Sequence, residues 1–400
     1  MKNIENLLNI ALKKGEGILR LFPNWVPRAF CIPGRRLKLH PKDYYSFGTH
    51  RGGIDERWFA STIKADNGPE TLPDEGLSYI YIEEGTQKQK ILLKDAIECM
   101  GNRILGKKVM EKFGGLTMFS KFFDNMDPIP FHLHQSDELA ALVGQKGKPE
   151  SYYYPKQLNP HSGYFPYTYF GLNPGTTKDD VKLCLKNWDK GDNGILNFSK
   201  SYKLKLETGW DVPPGVLHAP GSLLTYELQK ASDVYAMFQS LAGDNLIPKD
   251  LLVKDVPEEY KKDLDFIVDM IDWELNLDPD FHKNRFLEPK PVKPIEEMRE
   301  EGYEEYWIVY NSDFFAAKEL TIHPKKSIII KEKGAYGLIV IQGQGKFGVL
   351  DIESPAIIRF GQMTNDELFI TFNAALSGIE IKNESNSDDL VILKHIGPEV

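Results

Sequence analysis

Cysteine is scarce in this chain. Cys31, Cys99 and Cys184 are the three among 400 residues, far apart and with no Cys-x-x-Cys among them. That spacing excludes a zinc ribbon and a disulfide framework. Three free thiols, read as buried structural residues, in a chain without a secretory signal fit a reducing cytoplasm. Long apolar runs are missing too. None approaches the roughly 18 residues a membrane helix needs, so no membrane association is expected. Positive charge is in deficit: 49 Lys and Arg against 58 Asp and Glu leave a net charge of −9. This argues against nucleic acid as the main partner, but a small anionic ligand can still find a local basic pocket. With 41% hydrophobic and 27% charged residues, the composition is that of a soluble globular protein. The length calls for two or three compact units.

The periodicity divides the chain. Met1 to Leu21 carries apolar residues three and four apart (Ile4, Leu7, Leu8, Ala11), the pattern of an amphipathic surface helix rather than a signal peptide. Residues 28–85 are rich in Gly, Pro and short strand-like runs such as 56–63 and 77–82. Over 88–112 the period changes, with Leu93, Ile97, Met100 and Ile104 on one helical face. From Leu116 to about Ser240 strands and turns return. Residues 244–302 read as helical, with Asp255 and Glu258 as a capping box and an apolar stripe of Leu264, Ile267, Val268, Ile271 and Leu275. The run 288–294, rich in proline, reads as a linker. Beyond Trp307 the chain is again all β, with 338–341 and 347–350 expected as a hairpin around Gly343-Gln344-Gly345. The expected division is thus an N-terminal region 1–243 with a barrel core near 115–243, a helical segment and linker 244–302, and a second β unit 303–400. That last unit holds His323 and His395 and has no metal constellation of its own.

Three histidines and a glutamate in the middle stretch carry metal-ligand spacing. In Phe131-His132-Leu133-His134 the strand period of two puts both imidazoles on one face. Glu150, sixteen residues beyond His134, can return on a neighbouring strand. Pro213-Pro214-Gly215-Val216-Leu217-His218 reads as a tight turn delivering a histidine at a strand start. Three imidazoles and one carboxylate suit a divalent transition metal with room for water or substrate.

Many short strands, Gly-rich turns, a His-x-His strand and a Pro-x-Gly-x-x-His turn resemble a cupin jelly roll. More narrowly, the chain resembles type I mannose-6-phosphate isomerases. That family carries Gln-x-His-Pro-Asp-Asp-Glu, then Gly-Lys-Thr-Glu before an aromatic strand, then Pro-Ala-Gly-x-x-His-Ala-x-Gly, then Tyr-Glu-x-Gln-x-x-Ser-Asp. This chain has His132-Leu133-His134-Gln135-Ser136-Asp137-Glu138, Gly147-Lys148-Pro149-Glu150, Pro213 to Gly221, and Tyr226-Glu227-Leu228-Gln229-Lys230-Ala231-Ser232-Asp233, in the same order over roughly residues 50–240. The resemblance implies a mainly β bicupin with helical insertions, and a metal site of His132, His134, Glu150 and His218. It implies zinc first, with manganese, iron, cobalt or nickel as alternatives. Two positions depart from the family: His132 replaces its glutamine, and Met237 stands where it has an arginine. A thioether supplies neither a charge nor a donor fork, which bears on both phosphate recognition and the reaction.

The resemblance implies a metal-dependent aldose–ketose isomerase acting on a sugar or sugar phosphate. Such a reaction moves a proton between adjacent carbons, and Lys148, Glu138 and Asp233 are the candidate acid–base groups, in that order. Glu138 is also the rival carboxylate ligand to Glu150. Arg35, Arg36, Arg51 and Arg57 are the cations that could replace the missing arginine. The aromatic stretch Tyr152 to Phe170 can cover the barrel or stack on a sugar, and His161 within it reads as structural. The rival reading is a divergent metal-binding bicupin that binds or acts on another carbohydrate or small molecule without isomerase activity. A third reading is a purely binding or regulatory protein.

Overall fold

In the computed structural model, residues 2–399 are described, so Met1 of the expected N-terminal helix lies outside them. Two β barrels stand side by side. The first closes a 7-stranded sheet on a 5-stranded one. The larger sheet runs Phe286–Leu287, Gly209–Val212, Glu150–Tyr153, Thr225–Lys230, Met118–Phe123, Gly53–Phe59 and Asn24–Arg28. The smaller runs Ser199–Lys203, Tyr167–Leu172, His218–Ala219, His132–Leu133 and Ala236–Met237. The second barrel faces a 9-stranded sheet against a 4-stranded one, sharing a core of Leu320, Leu338, Leu368 and Ile392 with Ile328, Phe347, Ile352 and Ile381. No helix of the described residues is long and apolar enough to cross a membrane.

The larger sheet of the first barrel is buried on both faces. Met118–Phe123 and Gly53–Phe59 have no exposed position at all. Its inner side chains alternate with outer ones that pack on the second barrel. Phe122, Tyr153, Tyr226 and Leu228 share one apolar core with Ile308, Ala317, Ile339 and Leu393. Polar contacts cross the same seam: Arg57 forks onto Asp366 at 2.7 and 2.9 Å, and Tyr153 Oη donates to Glu319 at 2.9 Å. Residues one position out of phase on the same strands, Glu56, Lys121, Glu150 and Glu227, point their charges inward.

Several local expectations are corrected. The N-terminal helix covers Lys2–Lys14 and stops there; Gly17 then takes φ +87° and the strand Ile18–Phe22 begins. That strand pairs with Glu367–Ile370, so it joins the second barrel's sheet. The helical stretch 88–112 starts as the strand Gln87–Leu92 and splits into Leu93–Ile104 and Lys107–Phe113, because Gly106 sits at φ +89°. Asp255 caps no helix; its carboxylate accepts the Tyr235 N–H at 2.9 Å and pairs with Lys254. Asp263 is the N-cap of the helix Leu264–Asp269. In the proline-rich run, Lys290–Pro291 forms an edge strand against Tyr306 and Trp307. The expected hairpin across Gly343 does not form. Gly343, at φ +81°, passes the chain from one sheet to the other, and the hairpin pairs Gln344–Phe347 with Leu350–Glu353. The thiols are all free, but only Cys184 is buried; Cys31 and Cys99 are half-buried.

Candidate metal centre

The site lies inside the first barrel, between its two sheets. His132 and His134 project from the same face of their strand, while Phe131 and Leu133 pack on the other side against the helical insertion through Ile267 and Val268. His218 pairs with His132 across the ladder. The preceding turn places it: Gly215, at φ +77°, donates its N–H to the His134 carbonyl at 2.8 Å. The Gly215 carbonyl accepts from Asn276 Nδ2 at 2.7 Å, so the turn is stapled to both the strand and the insertion. Among the described residues, His132, His134 and His218 are the one group of three or more candidate ligands, with ligand atoms within 4.8 Å of one another. The second barrel's interior instead holds an ion-pair cluster in which Lys394 meets Glu305 and Glu332.

The tautomers follow from backbone contacts. His132 Nδ1 lies 2.6 Å from the Pro130 carbonyl, His134 Nδ1 2.7 Å from that of Val234, and His218 Nδ1 2.8 Å from that of Val216. Carbonyls only accept, so each Nδ1 carries the proton and each Nε2 presents a lone pair. These second hydrogen bonds orient imidazoles for metal binding. Burial, then the other two imidazoles, push His132 well below its ordinary pKa. Burial and the Lys148 ammonium lower His134 to about 4. Both rings are therefore neutral at pH 7, the form a metal requires.

Glu150 reaches the cluster from the opposite sheet, not from a neighbouring strand. Its Oε2 is 3.0 Å from His134 Nε2 and its Oε1 3.0 Å from His218 Nε2. A carboxylate oxygen facing the bare His218 Nε2 sets acceptor against acceptor, and that nitrogen is buried without a hydrogen-bond partner. Such an arrangement calls for an electrophile between the groups. Burial opposes the Glu150 charge, but the Lys148 ammonium and His134 outweigh it and hold the carboxyl well below its usual range. Tyr152 Oη donates to Glu150 Oε1. The donor set, three Nε2 lone pairs and an ionised carboxylate, fits a divalent transition metal.

Lys148 is buried in the same chamber. Its Nζ is 3.0 Å from His134 Nε2, 2.8 Å from Glu150 Oε2 and 3.3 Å from Glu227 Oε1. Asp233 also lines the chamber, with both oxygens on Arg28 Nη2 at 3.1 and 3.2 Å. Burial works against its charge, yet Arg28 lowers its pKa to about 2. Glu138 is not brought in: it sits exposed in the first turn of the helix Asp137–Ala141. Arg36, Arg51 and Arg57 are committed to Asp124, Glu75 and Asp366. Arg35 and His161 are exposed. Of the aromatic stretch, Tyr152 borders the chamber and Tyr153 reaches the other barrel.

Four chamber residues escaped the sequence reading: Arg28, Glu56, Lys121 and Glu227. Lys121 Nζ bridges Glu56 at 3.2 Å and Glu227 at 3.3 Å. Burial and the Glu150 charge push Glu227 up to about 8 against the pull of Lys121 and Lys148. The available signal was a lone lysine inside the apolar run Met118-Phe119-Ser120-Lys121-Phe122-Phe123, which is sustainable in a buried strand only if carboxylates face it.

The chamber is a half-open pocket of about 40 Å³. Phe30 and Tyr235 belong both to its wall and to that of an outer groove of about 1160 Å³. Their rings meet edge-on with centroids 6.4 Å apart.

No protein-family model matches the chain, and no curated protein sequence matches it. Solved structures do. A protein of Archaeoglobus fulgidus assigned as a mannosephosphate isomerase superposes with a TM-score of 0.61 at 12% identity, covering 96% of this chain and 98% of its own. A phosphomannose isomerase variant from Salmonella typhimurium gives 0.60 at 14% identity, covering 96% of this chain and 100% of its own. A mannose 6-phosphate isomerase bound with zinc and yttrium gives 0.60 at 13% identity with the same coverage, 96% and 100%. The likeness establishes the fold: a mainly β bicupin with helical insertions, as in these isomerases.

Proposed function

We propose that the protein is a metal-dependent aldose–ketose isomerase acting on a sugar or sugar phosphate. His132, His134, Glu150 and His218 would hold a divalent metal, zinc by preference of ligand type. The observation that carries the reading is the convergence of three Nε2 lone pairs and Glu150 beside a buried Lys148–Glu227 pair. The metal-bound neighbour and the shared fold support it.

When bound, the metal would supply Lewis acidity to adjacent carbonyl and hydroxyl oxygens. The chain's own residues do the rest. Lys148 and Glu227, 3.3 Å apart, are the pair positioned to take a proton from one carbon and return it to the next. Lys121 holds Glu227 in place from behind, and Tyr152 fixes Glu150. Asp233 serves as the anchor of Arg28 rather than as a base. Phe30 and Tyr235 line the passage between the chamber and the groove.

The chamber's free volume is small, about 40 Å³. A sugar would enter past Phe30 and Tyr235, which line both the chamber and the groove. That volume also favours a second reading, a bicupin acting on a smaller molecule at the same metal. NMR in D2O of metal-loaded protein with aldoses, ketoses and their phosphates separates the two. Ketose formation with deuterium at the carbon next to the carbonyl, abolished by a chelator, is the expected result. Bound metal with no exchange on any sugar would sink the isomerase reading.

A further inference from the structure

The chamber wall carries three cations, and each is already spoken for. Arg28 lies 3.2 Å from Glu56 and 3.1 Å from Asp233. Lys121 bridges Glu56 and Glu227. Lys148 bridges Glu150 and Glu227. Against Arg28, Lys121 and Lys148 stand four carboxylates: Glu56, Glu150, Glu227 and Asp233. All seven side chains are at most 8% exposed. The rest of the wall includes Phe30, Phe123, Ile129, Pro220, Tyr235 and Met237. None of these brings a cation.

The groove beyond Phe30 and Tyr235 repeats the pattern. Its Arg51 donates through Nη2 to both Glu75 oxygens, at 2.8 and 2.9 Å. Lys254 holds Asp66 at 2.5 Å and Asp255 at 2.8 Å. Lys261 pairs with Glu258 at 2.7 Å. Asp244 and Asp250 add further negative charge to the lining. A phosphate dianion leaving water needs charge-assisted donors to replace its hydration. Recruiting Arg28 would strip Asp233 of its ion-pair partner in a buried site and leave Glu56 to Lys121 alone. A metal's charge does not alter this, because it would sit on the imidazoles and Glu150, where the reacting oxygens go. Met237, in register with His132, fills its part of the wall with a thioether.

We infer that the chamber takes an unphosphorylated, neutral polyhydroxy substrate, a free sugar rather than a sugar phosphate, because every cation of its wall is closed into a buried ion pair. This rests on the reading of the site as a sugar isomerase and narrows its substrate class. Hydroxyls suit such a wall, since each can both donate to a carboxylate and accept from an ammonium. The aromatic pair at the mouth offers faces for a sugar's C–H side.

The test is calorimetry on the full-length, metal-loaded protein with mannitol and with mannitol 1-phosphate, alongside the D2O exchange assay on mannose and mannose 6-phosphate. The neutral hexitol is expected to bind at least about tenfold more tightly than its phosphate, with free mannose exchanged faster than the phosphate. Equal or tighter binding of the phosphorylated hexitol, or no binding of mannitol, overturns the inference. Binding of mannitol without exchange on either sugar upholds the neutral ligand while rejecting the isomerase.

Discussion

Tyr226 Oη lies 3.0 Å from His395 Nδ1, a contact between the strand that also carries Glu227 and the last strand of the second barrel. The imidazole is fully buried, and its Nε2 lies where a Cβ on Gly337 would sit 1.9 Å away. Burial lowers its pKa to about 3, against about 6.5 in an unfolded chain. The native state therefore refuses a proton that the unfolded state accepts. Above pH 6.5 the residue is neutral in both states and has no effect. Below it, stability falls by about 1.4 kcal/mol per pH unit until the folded pKa is reached. Denaturant unfolding at pH 7 and pH 5 is expected to show this loss, and His395→Gln to reduce the slope by one proton. An unchanged slope in the variant would mean that His395 is protonated in the native state.

His218→Ala removes a buried imidazole whose Nε2 faces the Glu150 carboxylate without a hydrogen bond. Loss of an outer partner of a ligand already costs 10–100-fold in metal affinity, so loss of this side chain is expected to cost more than about 100-fold. Metal content after dialysis checks it. Full retention of metal would remove His218 from the ligand set.

Gly215→Ala tests the turn. At φ +77° an L side chain is strained, and its Cβ would meet Asp272 Cβ at 3.0 Å and Asp272 N at 3.1 Å. A loss of about 1–3 kcal/mol is expected, together with weaker metal binding, because the same turn delivers His218. Thermal unfolding with and without metal reads both. A destabilised variant with unaltered metal affinity would uncouple the turn from the site.

Lys148→Met and Glu227→Gln separate proton transfer from metal binding. Each is expected to lower kcat by about a hundred- to ten-thousand-fold while leaving one metal per chain. Near-normal turnover in both would place the proton-handling group elsewhere in the chamber.

The three histidines were legible because their placement is local. A period of two aligns His132 with His134, and Pro-Pro-Gly turn chemistry delivers His218. Glu150 was legible by its order along the chain, but not its place on the facing sheet, since pattern does not say which strands pair. Lys121, Glu56 and Arg28 were harder. Each is a charge in a strand buried on both faces, and Lys121 finds Glu56 65 positions away. Their inward direction depends on that remote pairing. Glu138 misled because its strand-like spacing from His134 is broken by the Ser136 N-cap, which turns it onto a helix and into solvent. The hairpin at 338–350 failed on Gly343: a glycine between two β runs suits a sheet change as well as a reversal.

The strand Thr225–Lys230 alternates Tyr226, Glu227 and Leu228, so neighbouring residues belong to the seam between barrels and to the chamber. The second barrel, which carries no such histidine cluster among the described residues, is in this sense the mould in which the first is cast. Trimming the chain to residues 1–243 would not yield a self-sufficient barrel. It would bare Tyr153, Tyr226 and Leu228 as an adhesive patch and leave Arg57 without Asp366. Cut at the seam, each barrel would carry an apolar face that its neighbour now covers.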